Sequence, residues 1–412
     1  MSRIYDSWEK LVRAVLRREE DRQIALRPSF SSSSSADVSS RSSFDSTFFF
    51  DPFFFGDVHA PSGVDKQIDQ TGSSIWDVEF QPLNDMISAC RISGEKLDPA
   101  HLSSQDTFFF RNVMAIEYEE IRKATKNFTA DLLVGEGGFG SVYKGWIDEH
   151  NLTAVKPGSG IAVAIKKMNH QGLQGHKEWV DEIHYLSQLH HPNLVKLIGY
   201  SCNKDERIVV YEFMPKGSLN NHLFTRGHLF LPWATRTKVA IGAARALAFL
   251  HNLEIPVIHR GINSRDFLLD GDFNTKLSDF GLARDGPTGD RTHVSTRVMG
   301  TYGYAAPEYM ATGHLTTRCD VFGFGVVLLE LMSGLRVIDR MRAAGKHNLM
   351  DWAKPYLKDK RRVSKIVDSR LMGKYPPKEA RKVAKIVLQC VSEDPSLRPR
   401  MSEVVAELEK LY

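Results

Sequence analysis

The chain has 412 residues, enough for two or three domains, and its 42% apolar and 25% charged residues are ordinary for a globular protein. A net charge of +4 is small for this length and gives no reason to expect nucleic-acid binding. The four cysteines lie far apart, which disfavours zinc or disulfide frameworks and favours a cytoplasmic location. The absence of a run of about 18 apolar residues predicts that there is no transmembrane segment.

The first predicted segment covers residues 1–27. Residues 3–22 repeat apolar side chains at helical spacing opposite several arginines, which predicts an amphipathic, basic helix. Two interpretations stay open: peripheral contact with a membrane surface, or a solvated or weakly docked helix, since several acidic residues oppose attraction to anionic lipid. Ser2 excludes N-myristoylation, so contact with the plasma membrane would depend on this helix or on a partner.

The second predicted segment, residues 28–114, is rich in serine and phenylalanine. Ser31 to Ser35 and the phenylalanine triplets at 48–50 and 53–55 show no helical or strand periodicity. A polar tract without a regular apolar face cannot offset the entropy of ordering, so we predict disorder here. The triplets are consistent both with docking motifs and with apolar residues of a disordered tract.

Regular periodicity begins near Ile116 and predicts a folded domain over 115–412. Its first motif is a glycine-rich turn between predicted strands. The fixed positions of this motif are Gly135, Gly137, Gly140 and Val142. A dinucleotide site would need a helix directly after the glycines, whereas residues 141–145 predict another strand. The pattern matches the G-x-G-x-x-G-x-V loop of protein kinases, in which backbone N–H groups approach nucleotide phosphates. A glycine hairpin without a ligand is the alternative.

The next motif is Val163-Ala164-Ile165-Lys166, which matches the V-A-I-K strand of protein kinases. In that pattern Ala164 contacts the nucleotide and Lys166 pairs with its phosphates. The lysine needs a glutamate on the following helix, and Glu182 is the preferred partner because apolar residues bracket it. Glu178 and Asp181 are competing candidates, and an ordinary surface ion pair is the alternative.

Two strand-like stretches follow, at 194–198 and 208–214. The second would be the last strand of the small lobe and the hinge to a large lobe. Glu212 and Met214 would then offer backbone hydrogen bonds to adenine. The helical pattern of residues 239–250 marks the large lobe.

A loop at 259–269 has the frame of the protein-kinase catalytic loop, H-R-D-L-x-x-x-N. His259, Arg260 and Leu268 keep that frame, and Leu268 would line the nucleotide pocket. The position of the proton acceptor is Gly261, which has no side chain. The metal-binding Asn is replaced by Asp266, which still offers oxygen to Mg²⁺ or Mn²⁺.

Asp279-Phe280-Gly281 follows as the second metal-binding motif, and Ala306-Pro307-Glu308 ends the segment after it. Between them lie three hydroxyl residues that are candidate phosphorylation sites, Ser295, Thr296 and Thr301. Arg260 would pair with a phosphate there. Ordinary surface hydroxyls are the alternative.

Taken together, residues from about 116 to 410 resemble a plant receptor-like cytoplasmic kinase. Further matches are Gly172-Leu173-Gln174-Gly175-His176-Lys177-Glu178-Trp179, Asp285-Gly286-Pro287-Thr288-Gly289-Asp290 and Gly300-Thr301-Tyr302-Gly303-Tyr304. The resemblance implies an α+β, bilobal kinase fold, with a β-rich small lobe at about 116–213 and a helical large lobe at about 214–412. It implies ATP with Mg²⁺ or Mn²⁺ as cofactors, and receptor kinases or other signalling proteins as partners in immune or developmental signalling. It also implies that Asp320 braces the catalytic loop and that Arg398 pairs with Glu308.

Three departures from this family concern the chemistry. The base position is Gly261, the phosphate-facing lysine of the loop is Asn263, and the metal-binding asparagine is Asp266. We therefore predict a pseudokinase that binds ATP and acts as a signalling scaffold or allosteric regulator. The alternative is a weakly active Ser/Thr protein kinase that transfers the γ-phosphate of ATP to protein hydroxyls.

Overall fold

The computed structural model describes residues 114–412 except 138–139, 170–171, 204–205, 226, 228–229 and 344. The predicted N-terminal helix, the phenylalanine triplets and nearly all of the serine-rich segment lie outside the described residues. Among the described helices, none is both long enough and apolar enough to cross a bilayer.

The small lobe is built on a six-stranded sheet with two helices. Its strands are β1 Met114–Ala115, β2 Leu133–Gly137, β3 Gly140–Ile147, β4 Ile161–Met168, β5 Leu197–Asn203 and β6 Glu206–Glu212, and its helices are α1 Tyr118–Ala124 and α2 Gly172–Gln188. The sheet order is β1-β5-β6-β4-β3-β2. Every pair is antiparallel except β1 with β5. The strand predicted at 194–198 starts later, at Leu197, because Leu194 forms only an isolated bridge to Leu277.

Strand β4 explains how this sheet presents a lysine to the cleft. Val163 and Ile165 are buried in the small-lobe core beside α1. Because successive side chains of a strand point to opposite faces, Ala164 and Lys166 lie on the other face. There Lys166 is paired in register with Val142 of β3 and Val209 of β6.

Helix α2 packs across this face of the sheet. Trp179, Ile183 and Leu186 are buried in the core shared with the large lobe. The indole N–H of Trp179 donates to the carbonyl of Ile208 at 3.0 Å, which fixes the helix against β6. This seating brings one side of the helix, including Glu182, towards Lys166.

The large lobe is mainly helical. Its helices are α3 Leu219–Phe224, α4 Trp233–His251, α5 Pro307–Thr312, α6 Thr317–Ser333, α7 Leu349–Leu357, α8 Pro377–Cys390 and α9 Met401–Glu409. Its short strands are β7 Val257–Ile258, β8 Phe267–Leu269, β9 Thr275–Leu277, β10 Arg284–Asp285, β11 Val294–Ser295 and β12 His314–Leu315. Helices α4 and α6 are buried on nearly every side and form the centre of the lobe. The α+β, two-lobed fold predicted from the sequence is confirmed.

Three two-stranded ribbons hold the loops that lead to the cleft. β8 pairs with β9, β7 with β10, and β11 with β12, all antiparallel. The segment between β7 and β8 carries residues 259–266, and the turn after β9 carries Asp279. The pairing of β8 with β9 sets these two loops side by side, and the Ser278 N–H donates to the Asp266 carbonyl at 2.9 Å.

Candidate active site

Lys166 makes two ion pairs that join three separate elements. Its Nζ lies 2.9 Å from Glu182 Oε2 on α2 and 2.8 Å from Asp279 Oδ1 after β9. The Glu182 side chain is only 1% exposed, so its charge has no water to stabilise it. The competing candidates lie elsewhere: Asp181 binds Arg284 at 2.8 Å, and the backbone and Cβ of Glu178 pack against Gly281.

The charges in this cluster stabilise one another. Burial alone would lower the pKa of Lys166, but Asp279 and Glu182 raise it above its usual value. Burial would raise the pKa of Asp279, but the lysine charge lowers it. Burial raises the pKa of Glu182, and Lys166 offsets part of that rise. A charged lysine and an ionised Asp279 result, and both are suited to a phosphate and its metal ion.

The sequence analysis missed Tyr211, which closes the cluster from the β6 side. The residue is buried, and burial together with the nearby Glu182 carboxylate raises the pKa of its phenol well above the usual value. No sequence pattern marked it, because a tyrosine in a buried strand is ordinary.

The glycines of the glycine-rich turn differ in how much space surrounds them. A Cβ placed on Gly135 or Gly137 would meet no atom within 4 Å, so the backbone there is open to a ligand. Gly140 has φ +138°, and a Cβ would lie 2.0 Å from the carbonyl oxygen of Lys167. Gly140 is therefore required by the packing of β3 on β4. Val142 is half-buried.

The predicted hinge follows the end of β6, an interior strand of the sheet. Glu212 ends β6, and its carboxylate accepts from the backbone N–H of Lys196 at 2.8 Å and from Lys276 Nζ at 2.7 Å. The Met214 carbonyl accepts from the Gly217 N–H at 3.0 Å. Leu268 bridges Ser218, which lies just beyond the hinge.

The backbone of the catalytic-type loop is held by Asp320 near the start of α6. Its Oδ2 accepts from the His259 N–H and its Oδ1 from the Arg260 N–H, both at 2.8 Å. Arg260 has φ +69°, an unfavourable conformation that these bonds help to impose. The bracing role implied for Asp320 is therefore present in the structure. Arg398 likewise makes two 2.6 Å bonds to Glu308.

Gly261 leaves a space where the proton acceptor of a kinase would project. A Cβ built there would meet only Leu282 Cδ1 at 3.5 Å and the His259 ring from 3.9 Å, which are ordinary contacts. Asn263 lies beside this space. Its Nδ2 donates to the Gly261 carbonyl at 3.0 Å, to Asp266 Oδ2 at 2.8 Å and to Thr301 Oγ1 at 3.2 Å.

Asp266 is buried, and its Oδ2 accepts two hydrogen bonds from Asn263. Burial, and then the negative charge of Asp279, raises the pKa of Asp266 well above its usual value. Two neighbouring carboxylates suit a hard cation, whose charge would favour the ionised form of both. Within the part of the chain that the structure describes, no three His, Cys, Asp or Glu side chains form a metal site, so phosphate oxygens would have to complete the coordination.

The three candidate phosphorylation sites have different surroundings. Ser295 is exposed in β11. Thr296 Oγ1 accepts from Arg260 Nη2 at 3.1 Å, and Arg260 Nη2 also donates to the Arg297 carbonyl. Thr301 Oγ1 accepts from Asn263 Nδ2, so this residue contacts the catalytic-type loop.

Comparisons with known proteins agree with this arrangement. A family model described as protein tyrosine and serine/threonine kinase matches residues 128–408. Receptor-like cytoplasmic kinase 176 of Oryza sativa subsp. japonica is 54% identical over 322 residues, which cover 78% of this chain and 82% of the rice protein. Probable serine/threonine-protein kinase PBL9 of Arabidopsis thaliana is 56% identical over 348 residues, covering 84% of this chain and 81% of that protein. Serine/threonine-protein kinase BIK1 of Arabidopsis thaliana is 57% identical over 301 residues, covering 73% of this chain and 76% of that protein.

Proposed function

Because this chain belongs to the plant receptor-like cytoplasmic kinases, we propose that it binds ATP with Mg²⁺ or Mn²⁺ and transfers the γ-phosphate slowly to protein serine or threonine hydroxyls. The observation that carries this proposal is the pair of contacts from Lys166 to Glu182 and Asp279, at 2.9 and 2.8 Å. A lysine held in this way is ready to bind the α- and β-phosphates. The relatives' names, which describe Ser/Thr kinases, favour this alternative over the pseudokinase expectation.

Each nucleotide-binding residue has a role in this proposal. The backbone of Gly135 and Gly137 would approach the phosphates, and the Glu212 carbonyl and Met214 N–H would bind adenine. Val142, Ala164 and Leu268 would enclose the base. Asp266 and Asp279 would hold the metal ion, which neutralises charge on the transferring phosphoryl group.

The low rate of phosphoryl transfer that we propose follows from the residues at positions 261 and 263 of the catalytic-type loop. A general base typically contributes about 10²–10⁴-fold, and Gly261 cannot act as one. Losing one preorganised cationic donor, as at Asn263, costs roughly another 10²–10³-fold by analogy with oxyanion-hole donors. The two losses need not add, but the smaller figures together would slow a kinase of about 10 s⁻¹ to about one turnover in 10³ s.

The second candidate is a pseudokinase that signals through its ATP-bound fold. The vacant side-chain position at Gly261 favours it, because the nearest atoms to a Cβ built there belong to Leu282 and His259, neither of which carries a carboxylate. Receptor kinases or other signalling proteins would be its partners, in immune or developmental pathways at the cytoplasmic side of the plasma membrane. In both candidates, phosphorylation of Ser295, Thr296 or Thr301 would regulate the protein. A phosphate on Thr296 would meet the Arg260 guanidinium.

Two measurements on the full chain test the proposal. Thermal unfolding with ATP and Mg²⁺ at about 100 times the dissociation constant should show about 2.7 kcal/mol of added stability, and Lys166→Met should abolish it. Labelled ATP should then give slow transfer to a protein substrate that also disappears in Lys166→Met. A thermal shift without any Lys166-dependent transfer would favour the pseudokinase, and no shift would contradict both candidates.

A further inference from the structure

The positive charge of the chain is concentrated in one part of the large lobe. Residues 354–385 contain twelve Lys or Arg and three Asp or Glu, so they carry a net charge of +9, although the whole chain carries only +4. The segment begins in α7, passes through the 3₁₀ turn Val363–Lys365 and ends in α8, and these three elements pack against one another. The charge therefore lies on one region of the folded protein.

Helix α8 arranges part of this charge on a single face. Its buried side is formed by Ala380, Val383, Ala384, Ile386, Val387 and Cys390. Its exposed side carries four basic residues, which we call the α8 cationic face: Lys378, Arg381, Lys382 and Lys385. The spacing i, i+3, i+4 and i+7 places them in one stripe along the helix, with the Cβ atoms of adjacent members about 5–6 Å apart. The four charges thus reinforce one another on the solvent side.

The three acidic residues of the segment are engaged by other groups. Glu379 is half-buried and accepts from the indole N–H of Trp233 at 2.9 Å. Asp368 is buried and lies 2.6 Å from Arg236, and Asp359 lies 3.3 Å from the arginine two residues after it. These carboxylates therefore do not neutralise the α8 cationic face.

The neighbouring helix α9 also carries an acidic residue, Glu407, which pairs with Lys410 at 2.5 Å. Lys410 lowers the pKa of Glu407 most, and Lys385 and Lys382 contribute less. Among the residues that the structure describes, no carboxylate forms an ion pair with a member of the α8 cationic face. Its charge is therefore available to a ligand.

This arrangement has a cost in the free protein that an anionic surface would remove. Like charges three and four residues apart on a helix repel each other. Lys378 also lies in the first turn of α8, where the helix dipole disfavours a cation. A surface of opposite charge would offset these unfavourable interactions.

We propose that the α8 cationic face is a docking surface for a lipid bilayer that carries anionic headgroups. Lysines, which are three of its four residues, attract anions as point charges without a fixed geometry, and this suits a fluid surface. The turn that leads to α8 adds Met372, which is 81% exposed and would enter the interfacial region of the bilayer. The exposed Lys360 and Lys365 extend the basic region beyond the helix. The inference does not depend on phosphoryl transfer.

Vesicle sedimentation with the full chain tests this inference. Vesicles of phosphatidylcholine alone are compared with vesicles in which about 30% of the lipid is phosphatidylserine. The partition coefficient should be higher for the anionic vesicles and should fall as the salt concentration rises. Lys382→Gln/Lys385→Gln should lower it about 25-fold on the anionic vesicles, because each basic residue at such a surface contributes about a fivefold factor.

Lys126→Gln/Lys156→Gln is the matched control, since it removes the same charge from two exposed lysines of the small lobe. It should change the partition coefficient by less than about twofold. The N-terminal segment is the same in both variants, so its contribution cancels in the comparison. Equal losses in the two variants, or no loss in Lys382→Gln/Lys385→Gln, would overturn the inference.

Soluble poly-glutamate is the second probe, because an acidic segment of a protein is the other occupant that this charge would suit. If Lys382→Gln/Lys385→Gln weakens binding to poly-glutamate but not to the anionic vesicles, the assignment to a bilayer is wrong. All the substituted side chains are exposed, so both variants should unfold at the temperature of the natural chain. A loss of vesicle binding at an unchanged unfolding temperature would therefore support the docking surface.

Discussion

At the scale of single residues, position 261 has the largest consequence for the chemistry. Glycine is not demanded by the backbone there, since its φ is not in the left-handed region and nothing crowds its Cβ position. The backbone of the loop is held in place around this position. Asn263 donates to Thr301 beside the space, and Asp320 accepts from the backbone N–H groups of His259 and Arg260. A side chain restored at position 261 should therefore act on an intact backbone, although Asn263 and Asp266 still replace the lysine and the asparagine of the family.

Gly261→Asp should raise phosphoryl transfer by about 10²–10⁴-fold, because it supplies a carboxylate at the position where the acceptor proton must leave. The new Cβ would lie 3.5 Å from Leu282 Cδ1, so folding should be unaffected. Initial rates with labelled ATP and a protein substrate would measure the gain.

Gly261→Asn is the matched control, since asparagine has nearly the same shape but does not act as a base. It should leave the rate near that of the natural chain. Equal activation by both variants would show that the added side chain acts by ordering the loop. No activation by Gly261→Asp would mean that Asn263 or Asp266 limits the reaction instead.

At the scale of elements, the β2–β3 hairpin has free space around Gly137 at the end of β2 and a close backbone contact at Gly140, where β3 begins. Gly140→Ala should destabilise the fold by about 3 kcal/mol or more, because φ is +138° and the new methyl would lie 2.0 Å from the Lys167 carbonyl oxygen. Urea unfolding followed by circular dichroism would measure this loss.

Gly137→Ala provides the comparison within the same hairpin. Its Cβ would meet nothing within 4 Å, so the free energy of unfolding should change by less than about 0.5 kcal/mol. If both variants unfold at the same urea concentration as the natural chain, the close contact between β3 and β4 is not present in solution.

The elements also show which parts of the site can be predicted from sequence. The match to the V-A-I-K motif predicted Lys166 on a strand, and the bracketing apolar residues of the following helix predicted Glu182, which is indeed buried in α2. These two predictions use local sequence patterns, and the D-F-G motif predicted Asp279 as the third residue of the cluster. The link from Arg336 through Asn220 to the loop was not predicted. It joins residues 116 positions apart, and neither side chain has a periodic pattern that marks it.

At the scale of the whole molecule, buried polar contacts connect the loop, the segment after Asp279 and the large-lobe helices. Glu330, which lies on α6 and is fully buried, illustrates this. It accepts hydrogen bonds from Tyr304, near the end of that segment, and from Val337, beyond the helix. Ser264 of the loop lies 3.4 Å from the same Tyr304 hydroxyl. One carboxyl group thus joins three parts of the chain, and its protonation should affect the stability of all of them.

Burial raises the pKa of Glu330 from its ordinary 4.5 to about 7, although Tyr304, Val337, Ser264 and Arg336 all favour the charged form. The folded state therefore holds this proton more tightly than the unfolded chain does. The stabilisation is complete below about pH 4.5, is lost as the pH rises to about 7, and stays lost above it. The full change amounts to about 3 kcal/mol.

Other groups, such as Asp279, have lowered pKa values and contribute the opposite slope, so the natural chain alone cannot isolate this effect. Glu330→Gln can, because glutamine does not titrate and its oxygen can still accept from Tyr304 and Val337. The difference in unfolding free energy between the natural chain and this variant should fall by about 2.5 kcal/mol between pH 5 and pH 8, as measured by urea unfolding. A constant difference would mean that Glu330 titrates normally in the folded protein, and therefore that water reaches the group that joins these three elements.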